Sequence, residues 1–230
     1  MLRLVSYYTP THAEMFSRFV RQRAWGFDER VFVECGQTCP TGSFKDDGWN
    51  DCMLDKLKVL MNLPADNQPT LYVDADVALM PTLVEWCRWY AEHLEDDTVA
   101  FSDDVIQWCA GVMLFRTSRR VQSWWQTVAD LSVAWDLPDQ DAINHLRMQS
   151  ASRKGGRLPV KVSLLPRDVV CNWATVNAPT VPAAWDGEPF TVPPTCLAWH
   201  ANWTIGVERK LQMLERVVLG ETSNAAPASA

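Results

Sequence analysis

The stretch that most constrains this chain is Leu71-Tyr72-Val73-Asp74-Ala75-Asp76-Val77-Ala78-Leu79-Met80, closed by Pro81. Leu71 to Val73 has the β-branched and aromatic content of a buried strand. Asp74 and Asp76 then fall where that strand ends. Side chains of extended chain return to one face at every second residue, so the two carboxylates are expected to point the same way. Like charges aimed together repel unless a cation sits between them, and carboxylate oxygens suit hard divalent ions such as Mg²⁺ and Mn²⁺. A metal site at the carboxyl end of a central strand is the expectation. Asp-x-Asp is also common in solvated turns, where Asp bonds its own backbone. The apolar strand before it, and the rest of the chain, weigh against that simpler reading.

In chain order, Leu2 to Tyr8 reads as a buried first strand leaving through Thr9-Pro10-Thr11. The loop after the first strand of an open α/β sheet lies at the ligand-binding edge, which makes Tyr8 and Thr9 candidates to meet a base or ribose. Thr11 suits an N-cap for a helix over Ala13 to Trp25, and Arg30 to Glu34 suits a second strand. Gly36 to Gly48 is a loop long enough to be functional. Trp49 to Leu63 reads as a helix with Met53, Leu54, Leu57, Leu60 and Met61 on its apolar face. Lys56 and Lys58 lie on that helix, and either one could reach a metal-bound ligand. A helix over Pro81 to Leu94 and a strand over Thr98 to Phe101 follow, then a polar turn at Ser102-Asp103-Asp104.

Trp108 to Arg116 combines a strong strand pattern with Cys109-Ala110-Gly111, small residues that permit close approach of backbone and ligand. Ser118 suits the cap of a helix reaching about Ala134. Asp139-Gln140-Asp141 opens the next helix, where acidic residues favour the dipole and Gln140 is an amide poised for a polar substrate. Val160 to Leu165 reads as a strand, and Pro166 to Pro194 as irregular structure over one face of the sheet. His200 falls in what reads as a polar-aromatic loop, Ala198 to Trp203, and is placed to be a third metal ligand. Gly206 to Lys210 offers a flexible backbone point and basic side chains suited to phosphate. The segment after Gly220 has no core-forming pattern and reads as a disordered tail, leaving one domain over residues 1–219.

Composition removes several function classes. A net charge of -7 argues against broad affinity for nucleic acid or anionic membrane, although Ser152 to Arg157 is locally basic. No apolar run approaches the roughly 18 residues of a membrane span, and the N-terminus lacks a signal-peptide pattern. The 7 cysteines are scattered with no Cys-x-x-Cys, so reduced thiols in a cytoplasmic protein are expected rather than a structural zinc site.

Five stretches in this order resemble the nucleotide-diphospho-sugar transferases of the GT-A fold, nearest to the retaining group that includes arabinosyl- and xylosyltransferases. They are Tyr7 to Pro10, Leu71 to Val77, Cys109 to Arg116, Asp139 to Asp141, and His200-Ala201-Asn202-Trp203 with Gly206 and Lys210. The resemblance spans Leu4 to about Val217 and implies a Rossmann-like α/β fold, a mixed sheet flanked by helices. It implies a nucleoside-diphosphate sugar as donor and Mn²⁺ or Mg²⁺ as cofactor. Asp74, Asp76 and His200 would hold the metal, with Asp74 and Ala75 also at the donor. Gly206 and Lys210 would hold the pyrophosphate, Tyr8 and Thr9 the nucleoside, and Lys56 the donor sugar, with Lys58 as the alternative. Ala110, Gly111 and Asn202 would line the donor pocket, Asp139 would bond sugar hydroxyls, and Gln140 would lie beneath the anomeric carbon. The resemblance leaves the acceptor open among glycan, protein and modified nucleobase. Lys210-Leu211-Gln212 departs from the Lys-Pro-Trp ending of the glycogenin-like families, which leaves the phosphate role of Lys210 to be tested.

Two rivals share parts of this pattern. Phosphohydrolases of the haloacid dehalogenase type also place Asp-x-Asp-x-Val after an apolar strand, but on the first strand, whereas at least one βαβ unit precedes it here. A catalytically inactive sugar-nucleotide-binding module is the other, and the intact Asp74, Asp76 and His200 set argues against it.

Overall fold

The structure, a computed structural model, describes residues 1–42, 46–152, 158–177 and 183–220. The basic loop at residues 153–157 and the tail at residues 221–230 lie outside them.

The chain opens with β1 (Arg3–Tyr8), then a short helical segment, α1 (Ala13–Met15), and β2 (Glu29–Glu34). Next come α2 (Trp49–Met61), β3 (Pro69–Val73), β4 (Val77–Leu79) and α3 (Leu83–His93). The hairpin β5 (Thr98–Asp103) and β6 (Trp108–Arg116) leads to α4 (Arg119–Trp135) and α5 (Asp139–Ser152). The last elements are β7 (Lys161–Leu164), β8 (Val170–Asn172), α6 (Trp173–Asn177), β9 (Ala198–His200) and α7 (Val207–Leu219).

Among the described residues, a six-stranded sheet runs β2-β1-β3-β6-β5-β7, and a three-stranded sheet runs β4-β9-β8. β1 pairs parallel to β2 and β3, and β5 pairs parallel to β7, whereas β6 runs antiparallel to both β3 and β5. The large sheet is therefore mixed, as expected, and β3 is central in it. Both its faces are covered. Val5, Tyr7, Tyr72, Met113 and Phe115 point into the core shared with Leu57 and Leu60 of α2 and Trp124, Trp125 and Val128 of α4. The intervening Leu4, Leu71, Val73, Val112 and Leu114 point to the opposite core, with Leu83, Val84 and Cys87 of α3. Strands that read as continuous apolar runs thus alternate strictly between two buried faces. A third cluster joins the small sheet to α7 through Trp199, Met213, Leu214 and Val217.

Three expectations need correction. The helix expected over residues 13–25 is irregular: α1 widens into a π turn over Phe16–Val20 and ends in a 3₁₀ turn over Arg21–Arg23. The wide turn keeps Met15, Phe16, Phe19 and Val20 all buried. Pro166 to Pro194 is not wholly irregular, because it contains β8 and α6, elements too short to show periodicity. His200 ends a strand rather than sitting in a loop: it pairs with Val77 of β4 and Asn172 of β8.

Candidate active site

The central feature of the site is the turn between β3 and β4. Asp74, Ala75 and Asp76 occupy it, so their carboxylates converge through a turn and not through strand alternation. Its backbone is tied down on both sides: the Asp74 N–H donates to the Gly111 carbonyl at 2.8 Å, and the Ala201 N–H donates to the Asp76 carbonyl at 2.9 Å. Both tethers are long-range, from β6 and from just beyond β9.

His200 meets this turn edge-on. Its Nε2 lies 3.3 Å from Asp76 Oδ1 and 3.9 Å from Asp74 Oδ2, and its Nδ1 lies 3.5 Å from Cys109 Sγ. The ring packs on Gly111 so closely that a Cβ there would stand 2.1 Å from His200 Cε1. Gly111 is thus required for the imidazole to reach the carboxylates. Burial alone would pull the His200 pKa down, but the charge of Asp76 drives it well above the usual imidazole range. Burial would likewise raise the Asp76 carboxyl, yet Lys210 and His200 hold it well below the ordinary carboxylate value. Lys210, from the first turns of α7, contributes directly: Nζ is 2.6 Å from Asp76 Oδ2.

On the other side of Asp74, Lys56 is buried at 1% exposure on the inward face of α2. Its ammonium lies 3.0 Å from Asp74 Oδ1 and 2.9 Å from Asp139 Oδ2, donates to the Ala110 carbonyl at 2.8 Å, and sits 5.0 Å above the Tyr72 ring. Burial disfavours the charge, but Asp139 and Asp74 outweigh it and raise the Lys56 pKa. Lys58 faces solvent and pairs with Asp55 at 2.7 Å, so of the two lysines only Lys56 reaches the site. Tyr72 donates its hydroxyl to Asp74 Oδ1 at 2.6 Å.

Cys109, Ala110 and Gly111 owe their position to an irregularity in β6. Its register with β5 shifts between Phe101 and Ser102, leaving residues 110–112 outside that ladder. The released groups are taken up by the site. Ala110 N–H donates to Gln140 Oε1 at 3.2 Å, its carbonyl accepts from Lys56, and the Gly111 carbonyl accepts from Asp74 N–H. Asn144 completes the docking of α5, accepting from Trp108 N–H at 3.0 Å and donating to the Trp108 carbonyl at 2.9 Å.

A cavity of about 430 Å³ opens over these groups. Of the residues expected at the site, Tyr8, Thr9, Lys56, Asp74, Ala75, Asp76, Gly111, Asp139, Gln140, His200, Asn202 and Lys210 are on its wall. Ala110 and Gly206 are not: Ala110 acts through its backbone behind the wall, and Gly206 caps α7 with φ of 88°. Tyr8 stacks one face on Phe16, with ring centroids 4.1 Å apart, and donates to Glu34 at 3.0 Å. The wall residues that the sequence did not mark include His12 and Asp104. His12 is held by the hydroxyls of Thr9 and Thr11, at 3.2 and 3.0 Å from Nδ1, and burial with the nearby Lys210 charge lowers its pKa. Asp104 looked like half of a polar turn, and no local pattern announced its distant partners.

Asp74, Asp76 and His200 each offer one ligand atom, and these atoms lie within 4.8 Å of one another. Two carboxylate oxygens and one imidazole nitrogen suit a divalent ion of the Mn²⁺ type, and three protein ligands leave positions open for substrate oxygens. The donor set fits the implied metal.

A mixed α/β sheet with an acid pair at the end of its central strand, and Lys210 of α7 paired to that acid on one cavity wall, is the arrangement expected of a sugar-nucleotide transferase of the GT-A type. Comparison with known proteins agrees. The family model described as nucleotide-diphospho-sugar transferase matches residues 35–214, and the chain belongs to that family. It is a glycosyltransferase. No curated protein matches the sequence itself. Among solved structures, the galactosyltransferase LgtC with donor and acceptor sugar analogues shares 12% identity and a TM-score of 0.53, over 93% of this chain and 95% of that one. A glycosyltransferase involved in glycosylating the major capsid of PBCV-1 shares 11% identity and a TM-score of 0.57, over 93% of this chain and 98% of that one. At such identities the likeness is one of fold. No described helix is long and apolar enough to cross a membrane.

Proposed function

We propose that the enzyme is metal-dependent and retaining, moving a sugar from a nucleoside-diphosphate donor to a hydroxyl of an acceptor. The observation that carries this reading is the convergence of Asp74, Asp76 and His200 with Lys210 on one cavity wall. Asp74, Asp76 and His200 would hold Mn²⁺ or Mg²⁺. When bound, the ion supplies Lewis-acid stabilisation to the diphosphate as the glycosyl–phosphate bond breaks.

The chain's own groups do the rest. Lys210 adds positive charge beside the departing diphosphate, with Gly206 opening the helix that carries it, and that charge counts most as the leaving group gains its own. Tyr8 and Thr9, joined by His12, form the end of the cavity that takes the nucleoside. Ala75, Gly111 and Asn202 shape the sugar pocket with Ala110 behind them, and Asp139, paired with Lys56, accepts from sugar hydroxyls. Gln140 lies beneath the anomeric carbon. Its Oε1 already accepts from Ala110 N–H, and an amide oxygen is weakly basic, so it serves poorly as a nucleophile. Attack from the front face, with the leaving phosphate taking the acceptor's proton, needs no dedicated base and accounts for retention. An active-site Gln-to-Glu variant has been made of the similar galactosyltransferase, which is in keeping with a glutamine at this place. A cytoplasmic location belongs to the same proposal and rests on the scattered cysteines.

The test is a panel of nucleotide sugars incubated with the enzyme and Mn²⁺. Release of nucleoside diphosphate from one or a few donors, abolished by chelation and restored by Mn²⁺, is expected. Release that is indifferent to metal contradicts the reading.

A further inference from the structure

Asp104 is 3% exposed yet lies on the wall of the cavity. One of its oxygens, Oδ1, gathers donors from two distant stretches of chain: Asn202 Nδ2 at 2.9 Å, Asn172 Nδ2 at 3.5 Å, and the Trp203 indole N–H. Asn202 Nδ2 also lies 3.7 Å from Cys109 Sγ, which in turn touches His200. A continuous polar chain therefore runs from Asp104 through Asn202 and Cys109 to the imidazole. Burial raises the Asp104 carboxyl, and the Trp203 and Asn202 bonds partly oppose that rise.

The backbone on both sides of this contact is strained. Val105, next to Asp104, sits at φ 66°, and Trp203 sits at φ 58°. A β-branched and a bulky aromatic residue in the left-handed region are genuine outliers. Each strain is secured locally. The Val105 N–H donates to Asp103 Oδ1 at 2.8 Å, and the Trp203 carbonyl accepts from the Trp185 N–H at 2.7 Å. The two strained residues are what bring the carboxylate and the indole together.

We propose that Asp104 is a positioning residue, whose buried oxygen locks residues 201–206 and so holds His200 at the acid pair and Trp203 in the cavity wall. An oxygen already receiving three donors is poorly placed to take a substrate proton, and Asp104 is outside the convergent ligand group. Its role is to accept hydrogen bonds, and an uncharged amide oxygen should serve nearly as well.

That distinction sets the experiment: hydrogen exchange read by mass spectrometry on wild type, Asp104→Asn, Asp104→Ala and Trp203→Phe. Asp104→Ala should speed exchange over residues 201–206 by about tenfold or more, because a buried acceptor is lost and its donors are left unpaired. Asp104→Asn should stay within about twofold of wild type, since Oδ1 is retained. Trp203→Phe, which deletes one donor, should fall between and also stands in if Asp104→Ala does not fold. In parallel, Mn²⁺ affinity measured by electron paramagnetic resonance should drop about tenfold in Asp104→Ala and not in Asp104→Asn. Unchanged exchange in Asp104→Ala or in Trp203→Phe overturns the proposal. So does Asp104→Asn behaving like Asp104→Ala, which would assign the role to the charge. The metal part rests on the proposed function: if wild type binds no Mn²⁺, that reading fails, and the exchange result alone still decides the role of Asp104.

Discussion

Two buried charge networks sit at opposite ends of the central strands, and they are built differently. At the amino end of β1, the Arg3 guanidinium is 1% exposed and pairs with Asp66 at 2.6 Å and Glu29 at 2.8 Å, with Gln68 Oε1 at 3.0 Å and Thr117 Oγ1 at 3.4 Å around it. One cation is enclosed by acceptors whose outer members face solvent, and no residue of this network lines the cavity over the acid pair. At the carboxyl end of β3, Asp74, Asp76 and Asp139 share Lys56 and Lys210, and all five line that cavity. The first arrangement is closed, its buried cation held by acceptors on every side, as a structural network should be. The second is open and leaves anionic ligands converging on a shared space, which is what a cation site requires. Buried charge alone therefore does not mark function; the cavity on which the ligand atoms converge does.

The largest stability effect should come from Lys56→Met. It leaves Asp139 and Asp74 facing each other without their cation, and should cost about 3–5 kcal/mol in denaturant unfolding. A loss below about 1 kcal/mol, the range of exposed pairs, would erase the distinction between this lysine and Lys58. Arg3→Met should cost less, about 2 kcal/mol, because its partners Asp66 and Glu29 are 38% and 42% exposed and can rehydrate. It should leave turnover per folded molecule unchanged, and a fall in turnover would mean the two ends communicate. Gly111→Ala should cost about 1–3 kcal/mol from overpacking against His200. Its sharper effect should be on Mn²⁺ affinity, down by more than about tenfold because the imidazole is displaced.

The smallest effect concerns pH. Burial would raise the Asp66 carboxyl, but hydrogen bonds from Arg3, Thr117 and the Gln68 N–H bring it down to about 2. A carboxyl depressed on folding stabilises the fold above its unfolded value, which is near 3.8, and that contribution fades as pH falls toward about 2. The stability gap between wild type and Asp66→Asn should therefore be constant above about pH 5 and close between about pH 4 and pH 2. A gap that instead closes above pH 5 would show that Asp66 is not held by Arg3.

Much of the candidate site was legible because it is written in short local patterns. The Asp-x-Asp turn, the Cys-Ala-Gly bulge, the Asp-Gln helix start and the His and Lys of the last segment each carry a local signal, and the fold brings them together. What escaped depends on distance or on irregularity. Asp104 finds Asn202 and Trp203 nearly a hundred residues away in sequence, and nothing local on α2 separated Lys56 from Lys58 until Asp139 arrived from α5. The strand character of His200 was hidden because β9 is three residues long and exists only through pairing with β4 and β8. The break in α1 was hidden because its apolar spacing is compatible with a regular helix.

The central claim is that the open network is a metal-and-diphosphate clamp. The most direct measurement is calorimetric titration of nucleoside diphosphates into wild type and Asp76→Ala, each with and without Mn²⁺. The account predicts that at least one nucleoside diphosphate binds wild type with Mn²⁺ more tightly than without it, and that Asp76→Ala loses this gain by more than about a hundredfold, beyond what losing a residue that only supports a metal ligand costs. Equal binding with and without Mn²⁺ in wild type, or a gain that survives in Asp76→Ala, would contradict it.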